Sequence, residues 1–256
     1  MLNSSRAEFK GLFETLKSDT FIILLFPLFW ASNWFYTYQF NDFNAYYFDI
    51  RTRAFNSFFY WYLIFYIKSL TSRLAQIFGS LGFGFFLDMP RFSRRARGLA
   101  GWIALFILVN VIWGGGLAFE IKTNRDAPSP KQDIFDSGYV GNLFLYIFYG
   151  ILDSCWQTYA YWLMGALSNE PRKLAYYAGF YKSIQTAGAA VIWRVDALKA
   201  PFRALFGSSW GLCGAGLLVA FPLVWAKIHE TNIHREDYLT AQEVFNEKEE
   251  RALNEA

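Results

Sequence analysis

Two apolar stretches of membrane-span length flank a short basic turn, Ser168-Asn-Glu-Pro-Arg-Lys173, and each carries a charge near its middle. Asp153 and Gln157 lie four residues apart in the first; Lys182 and Gln185 lie three apart in the second. Either spacing puts both side chains on one helical face. With the spans taken as 141–163 and 174–193, helix rise places Asp153 about 15 Å and Lys182 about 12 Å from the turn. A charge at mid-membrane costs at least roughly 2.5–3.5 kcal/mol, so it normally faces protein or water and finds a partner. The turn makes the two helices sequential and antiparallel, hence adjacent. Asp153 and Lys182 are therefore expected to meet inside the bundle as an ion pair. The competing expectation is that each faces a wet cavity separately.

Composition supports spans over a soluble core. Of 256 residues 54% are hydrophobic and 21% aromatic, with 28 Phe, 16 Tyr and 10 Trp, and the mean hydropathy is +0.17. Soluble domains rarely carry such an apolar share. The ten-residue alternation of a transmembrane barrel is missing, so the expected class is an all-α polytopic helix bundle. A net charge of +3 gives no case for nucleic acid as a partner. Cys155 and Cys213 lie within apolar spans and read as core packing. His229 and His234 sit together in a polar tail, so no intramembrane metal set is expected, nor a cofactor. The first apolar run begins near Thr20 without a small-residue cleavage site after it, so no cleavable signal peptide is expected.

Along the chain, residues 1–19 alternate Phe9, Leu12, Phe13 and Leu16 with Glu8, Lys10, Glu14 and Lys17 at helical spacing, as in a short interfacial helix. Residues 20–226 read as about six transmembrane helices, the first, Thr20–Tyr38, containing Pro27 and Asn33. Phe55–Trp61 and Leu74–Leu87 read as one helix interrupted by an insertion at 62–73. With six spans, Lys and Arg number 11 on the N-terminal side against 8 opposite, which places both ends in the cytoplasm. Gly84 and Asp88 precede a basic loop bearing Arg91, Arg94 and Arg95, either a stop-transfer flank or a gating motif. The 120–138 loop, with mixed charge and two prolines, reads as a solvent-exposed connection. Ala175, Gly179, Ser183 and Ala187 in the fifth span, and Gly207, Gly211 and Ala215 in the sixth, are stripes of small residues expected to let helices approach closely. Residues 227–256 are a polar tail.

Three stretches together carry a resemblance: Ala31-Ser-Asn-Trp-Phe-Tyr-Thr-Tyr-Gln-Phe-Asn-Asp42; Asp153-Ser-Cys-Trp-Gln-Thr158 leading to Tyr161-Trp162 and Gly165-Ala-Leu-Ser-Asn169; and Tyr177-Ala-Gly-Phe-Tyr-Lys-Ser-Ile-Gln185 with Trp193-Arg194. They resemble the uncoordinated-ninety-three-like membrane proteins, a branch of the major facilitator superfamily, over roughly residues 9 to 230. The resemblance implies that the six spans correspond to the C-terminal half of a twelve-helix fold. It also reads as if Trp61 were joined to Leu74, which marks 62–73 as extra sequence.

What the resemblance implies for function is transport of a small solute across a membrane, with Asp153 and Lys182 as an intramembrane switch and Gln157, Gln185 and Asn33 lining the cavity. Half of such a fold encloses no path by itself, so the implied partners are membrane lipids, the solute, and a second half-transporter chain or a homodimer. Two other classes stay open: a non-transporting membrane regulator or trafficking partner, whose polar residues specify packing, and an inactive half-length chain. Enzymatic chemistry is not expected, because the sequence shows no nucleophile–base pair, metal set or phosphate loop.

Overall fold

The computed structural model describes residues 11, 13, 15–17, 20–62, 74–123, 125 and 131–228. Its helices are α1 (Thr20–Tyr46), α2 (Ile50–Tyr62), α3 (Leu74–Asp88), α4 (Arg94–Glu120), α5 (Tyr139–Leu167), α6 (Pro171–Ala197) and α7 (Phe202–Lys227). Helices α1, α4 and α7, of 27, 27 and 26 residues, are long and apolar enough to cross a membrane. At 1.5 Å per residue each is about 40 Å long, more than the roughly 30 Å hydrocarbon core requires. The expected insertion at 62–73 lies outside the described residues apart from Tyr62, the last residue of α2, as does the polar tail beyond Ile228. Of the N-terminal segment, residues 11, 13 and 15–17 are helical, with Leu16 packed on the core and Phe13 exposed.

Helix α1 is broken, and its sequence explains where. A 3-10 turn (Thr20–Leu25) leads into a helical segment started by Pro27, followed by a turn at 32–34, then Phe35–Thr37 and a π-helical stretch, Tyr38–Tyr46. Just before the turn, Ser32 Oγ donates to Leu28 O (3.1 Å), and Trp156 Nε1 from α5 donates to the same carbonyl (3.2 Å) and to Ser32 Oγ (3.0 Å). Side chains inserted at a backbone carbonyl in this way interrupt the helical ladder. Two glycines let neighbours press on the broken stretch. A Cβ on Gly188 of α6 would lie 2.6 Å from Trp30 O, and one on Gly216 of α7 would lie 2.9 Å from Leu28 Cα. Helix α1 is thus wedged between α6 and α7, with α5 behind it.

The small-residue stripes read in the sequence do not serve this packing. Ala175, Gly179, Ser183 and Ala187 on α6, and Gly207, Gly211 and Ala215 on α7, are exposed, and a Cβ on Gly179, Gly207 or Gly211 would meet nothing within 4 Å. The close approaches fall one helical face away, where the buried sides of α6 and α7 meet α1.

The buried core is largely aromatic. Tyr38, Trp113, Tyr149 and Phe206 pack together from α1, α4, α5 and α7, with Trp113 and Tyr149 centroids 5.0 Å apart. Outward-facing positions on α4, Ile103, Ile107 and Val111, are exposed and apolar at successive turns, the pattern of a lipid-facing stripe. The loops sort to two ends. Arg94 donates to Gly165 O (2.8 Å) and Arg95 lies over the Trp225 ring, so the 88–98 loop, the end of α5 and the end of α7 share one end. At the other, the far end, the α1–α2 connection meets the 120–138 loop: Gln132 N donates to Tyr47 O (2.8 Å), and Phe48 and Gln132 form an isolated bridge.

Candidate functional site

The polar groups predicted to lie in the membrane gather at the break in α1. Asp153 is fully buried, and its carboxylate accepts from Tyr36 Oη (2.7 Å) and Gln157 Nε2 (2.9 Å). Gln157 also donates to Tyr36 Oη (3.0 Å), closing a three-membered ring of hydrogen bonds between α5 and α1. On the other side of α1, Gln185 is buried and donates to Asn33 Oδ1 (2.9 Å) and Tyr181 Oη (3.1 Å), while Lys182 Nζ donates to Gln185 Oε1 (2.8 Å). All five expected residues therefore fall in one layer, joined through α1.

The expected ion pair is not formed. The Lys182 ammonium is instead held by Gln185 and lies 5.0 Å from the Tyr181 ring centroid and 5.5 Å from that of Tyr161. The physical reason is the packing of α6, which rests mainly on α1 rather than on α5, so each charge is satisfied separately: Asp153 by Tyr36 of α1 and Gln157 of its own helix, Lys182 by Gln185 of its own helix and the rings of Tyr181 and Tyr161. Asp153 obtains a hydroxyl and an amide; Lys182 obtains an amide oxygen and two aromatic faces. No spacing along α5 or α6 reveals that α6 packs mainly against a third helix, α1. Tyr36 and Tyr181, the residues that complete the layer, are hard to single out among 16 tyrosines.

The basic loop is a clamp on helix ends. Asp88 accepts from Trp162 Nε1 (3.2 Å), Arg94 reaches the last turn of α5 at Gly165 O, and Arg95 lies over Trp225 of α7. Ser93 caps α4, its Oγ accepting from Ala96 N (3.1 Å). Gly84 faces Thr158, where a Cβ would make ordinary contact at 3.9 Å, and Arg91 is exposed. A cation at the carbonyl end of α5 also complements its dipole.

The far end holds a polar centre that the sequence reading missed. Arg125 forms ion pairs with Asp42 (3.2 Å) and Asp196, and stacks over Phe202 at 4.3 Å. Asn41 Nδ2 donates to Asp196 (2.9 Å), and Tyr46 Oη donates to Arg125 O (2.7 Å). Beside them the buried Glu120 accepts from Tyr38 Oη (2.9 Å). The 120–138 segment, read as a solvent-exposed connection, thus sends Glu120 and Arg125 back into the bundle, because two buried acids on α1 and α4 and a third on α6 need a cation and hydroxyl donors. Asp42 at the end of the first apolar run was the available signal. Lys131 at this end donates to Ala45 O (3.2 Å) and to Tyr46 O, and burial, followed by the Arg53 guanidinium, holds it below the ordinary lysine range.

An UNC93-like protein of Schizosaccharomyces pombe is 48% identical over 236 residues, 91% of this chain and 44% of that protein. UNC93-like proteins 1 and 2 of Arabidopsis thaliana are each 41% identical over 209 residues, 80% of this chain and 42% of theirs. The chain belongs to the UNC93-like family. With its apolar helices, that makes it a multi-pass integral membrane protein. No family model matches it, and no solved structure does. This UNC93-like chain spans less than half the length of the curated relatives it matches.

Proposed function

We propose that the chain forms a six-span half of a solute-translocating membrane protein in the major facilitator style, with the layer at Asn33, Asp153, Gln157, Lys182 and Gln185 beside its path. The observation that carries this reading is the outward face of α6. There Lys182, Ser183 and Thr186 are exposed among Ala175, Gly179 and Ala187, directly over the buried layer. Exposing an ammonium to hydrocarbon is costly, so such a face suits water or a second protein surface. The apolar stripe on α4 suits lipid. A path between this face and a second half, from another chain or another copy, would use the break in α1 as many transporters use discontinuous helices.

The test is flux. Purified chain in proteoliposomes would be offered a panel of labelled amino acids, hexoses, organic acids and monovalent cations, alone and with a co-purified partner. Uptake of one class that is lost in Lys182→Met supports the reading. A second reading, a non-transporting regulator, is favoured by one observation: Asp153 is fully buried and hydrogen-bonded, as a packing-specificity residue would be. No uptake of any solute by a folded, partnered protein favours that reading.

A further inference from the structure

We propose that the groove between the far-end halves of α4 and α5 binds an anionic phospholipid, with its phosphate at Lys122 and Lys131 and an acyl chain along the apolar wall. The groove encloses about 860 Å³, ample for one lipid tail and the base of its headgroup. Its walls are Leu108 and Val111 from α4 and Phe144 and Phe148 from α5. Glycine creates the space: Gly115 and Gly141 line it from opposite sides, and a Cβ on either would meet nothing within 4 Å. It is cut into lipid-facing surface, continuous with exposed Ile107 and Val111 of α4.

The mouth fits an anion. Lys122 is exposed, and its ammonium has no partner among the described residues. Lys131 sits across the mouth, anchored to the carbonyls of Ala45 and Tyr46. The carboxylate there, Asp136, accepts from Asp133 N (2.7 Å), and the first turn of α5 opens onto the same place at Gly138 and Asn142. An apolar slot ending in two ammonium groups matches a molecule with a long tail and an anionic head; a zwitterionic lipid offers the same phosphate but brings its own cation beside the two lysines.

The experiment uses the full chain in a neutral detergent and fluorescent phosphatidylglycerol and phosphatidylcholine of identical acyl chains. Phosphatidylglycerol should bind about tenfold more tightly, the preference of two nearby cations. Lys122→Gln, a substitution at an exposed side chain, should cut that preference to about threefold, and Lys122→Gln/Lys131→Gln should abolish it. Gly115→Leu and Gly141→Leu should weaken both lipids together. Equal affinity for the two lipids, or a preference that survives the double lysine substitution, overturns the proposal. So do leucine variants that bind as wild type, which would leave only general annular lipid. Complete displacement of the labelled lipid by millimolar glycerol phosphate would show a free-anion site instead, and equally overturns it.

Discussion

Asp153 stands between Tyr36 and Gln157, so its replacement is felt through them. Asp153→Leu leaves the half-buried Tyr36 hydroxyl without its acceptor and Gln157 with Tyr36 alone, and should cost about 1–3 kcal/mol, read as detergent unfolding free energy. Asp153→Asn keeps an acceptor and should cost well under half as much. The hydrogen bonds of Asp153 to Tyr36 and Gln157 and of Lys182 to Gln185 have no residue in common, so Asp153→Asn and Lys182→Met should add to within about 0.5 kcal/mol. Asp153→Asn and Tyr36→Phe should fall short of additivity by more than that. Additive losses in the Tyr36 cycle would remove the hydrogen-bonded layer as described here. At this scale the sequence showed which polar residues share a helical face, because helix spacing is local. It also set Gln157 beside Asp153 and Gln185 beside Lys182, but it could not show Tyr36, which reaches Asp153 from a helix more than a hundred residues away. Asp49 supplies the pH-dependent case. The Thr52 hydroxyl first, and then Thr52 N, which donates to the carboxylate (2.7 Å), hold it below the ordinary aspartate range. A lowered folded-state pKa means this contribution is present above the unfolded value and is lost as pH falls through the folded one. Amide exchange at Thr52 should therefore accelerate in Asp49→Ala at neutral pH, and in wild type only under strong acid; an unchanged Thr52 amide in Asp49→Ala would refute the cap.

Helices in lipid associate through close packing, and here the glycines that matter are not those in the regular stripes. Gly188→Ala puts a methyl 2.6 Å from Trp30 O and forces α6 off α1. Overpacking of this kind costs about 1–3 kcal/mol. Gly179→Ala meets open space and gains helix propensity, so it should stabilise by up to about 1 kcal/mol. Thermal unfolding of the two variants in one detergent should shift in opposite directions; shifts of the same sign would mean that α6 presents a different face to α1. The small-xxx-small period was legible in the sequence, but which face of α6 it faces depends on where α1 breaks, and that break is set by Trp156 and Ser32. The far-end elements depend likewise on Arg125. Arg125→Leu strands Asp42, 1% exposed, and Asp196, 15% exposed. Removing one partner of a buried ion pair costs about 3–5 kcal/mol, and Arg125→Lys should recover only part of it because the fork that reaches two carboxylates is lost.

At the scale of the molecule, the exposed surface divides into two kinds, and each asks for a different neighbour. Ile103, Ile107 and Val111 on α4 form an apolar stripe, while α6 presents Lys182, Ser183 and Thr186 among small residues. The hydroxyls of Ser183 and Thr186 are satisfied within their own helix by Gly179 O (2.9 Å) and Lys182 O (2.7 Å). The ammonium of Lys182 still cannot face hydrocarbon without a cost of at least roughly 2.5–3.5 kcal/mol. In a lipid nanodisc, then, the α6 face should be wet or covered by protein, and the α4 face should be neither. Single cysteines at Ser183, Thr186, Ile103 and Ile107 separate these cases, with the native Cys155 and Cys213 buried and giving little background. A membrane-impermeant thiol reagent should label positions 183 and 186 in a monomeric preparation. If a second copy covers the face, those two positions should instead form cross-links between chains. Positions 103 and 107 should do neither, and should be quenched by a lipid-borne probe. Quenching of 183 and 186 by that same probe would show α6 turned to lipid, and with it the proposed path would lose its only polar wall among the described residues.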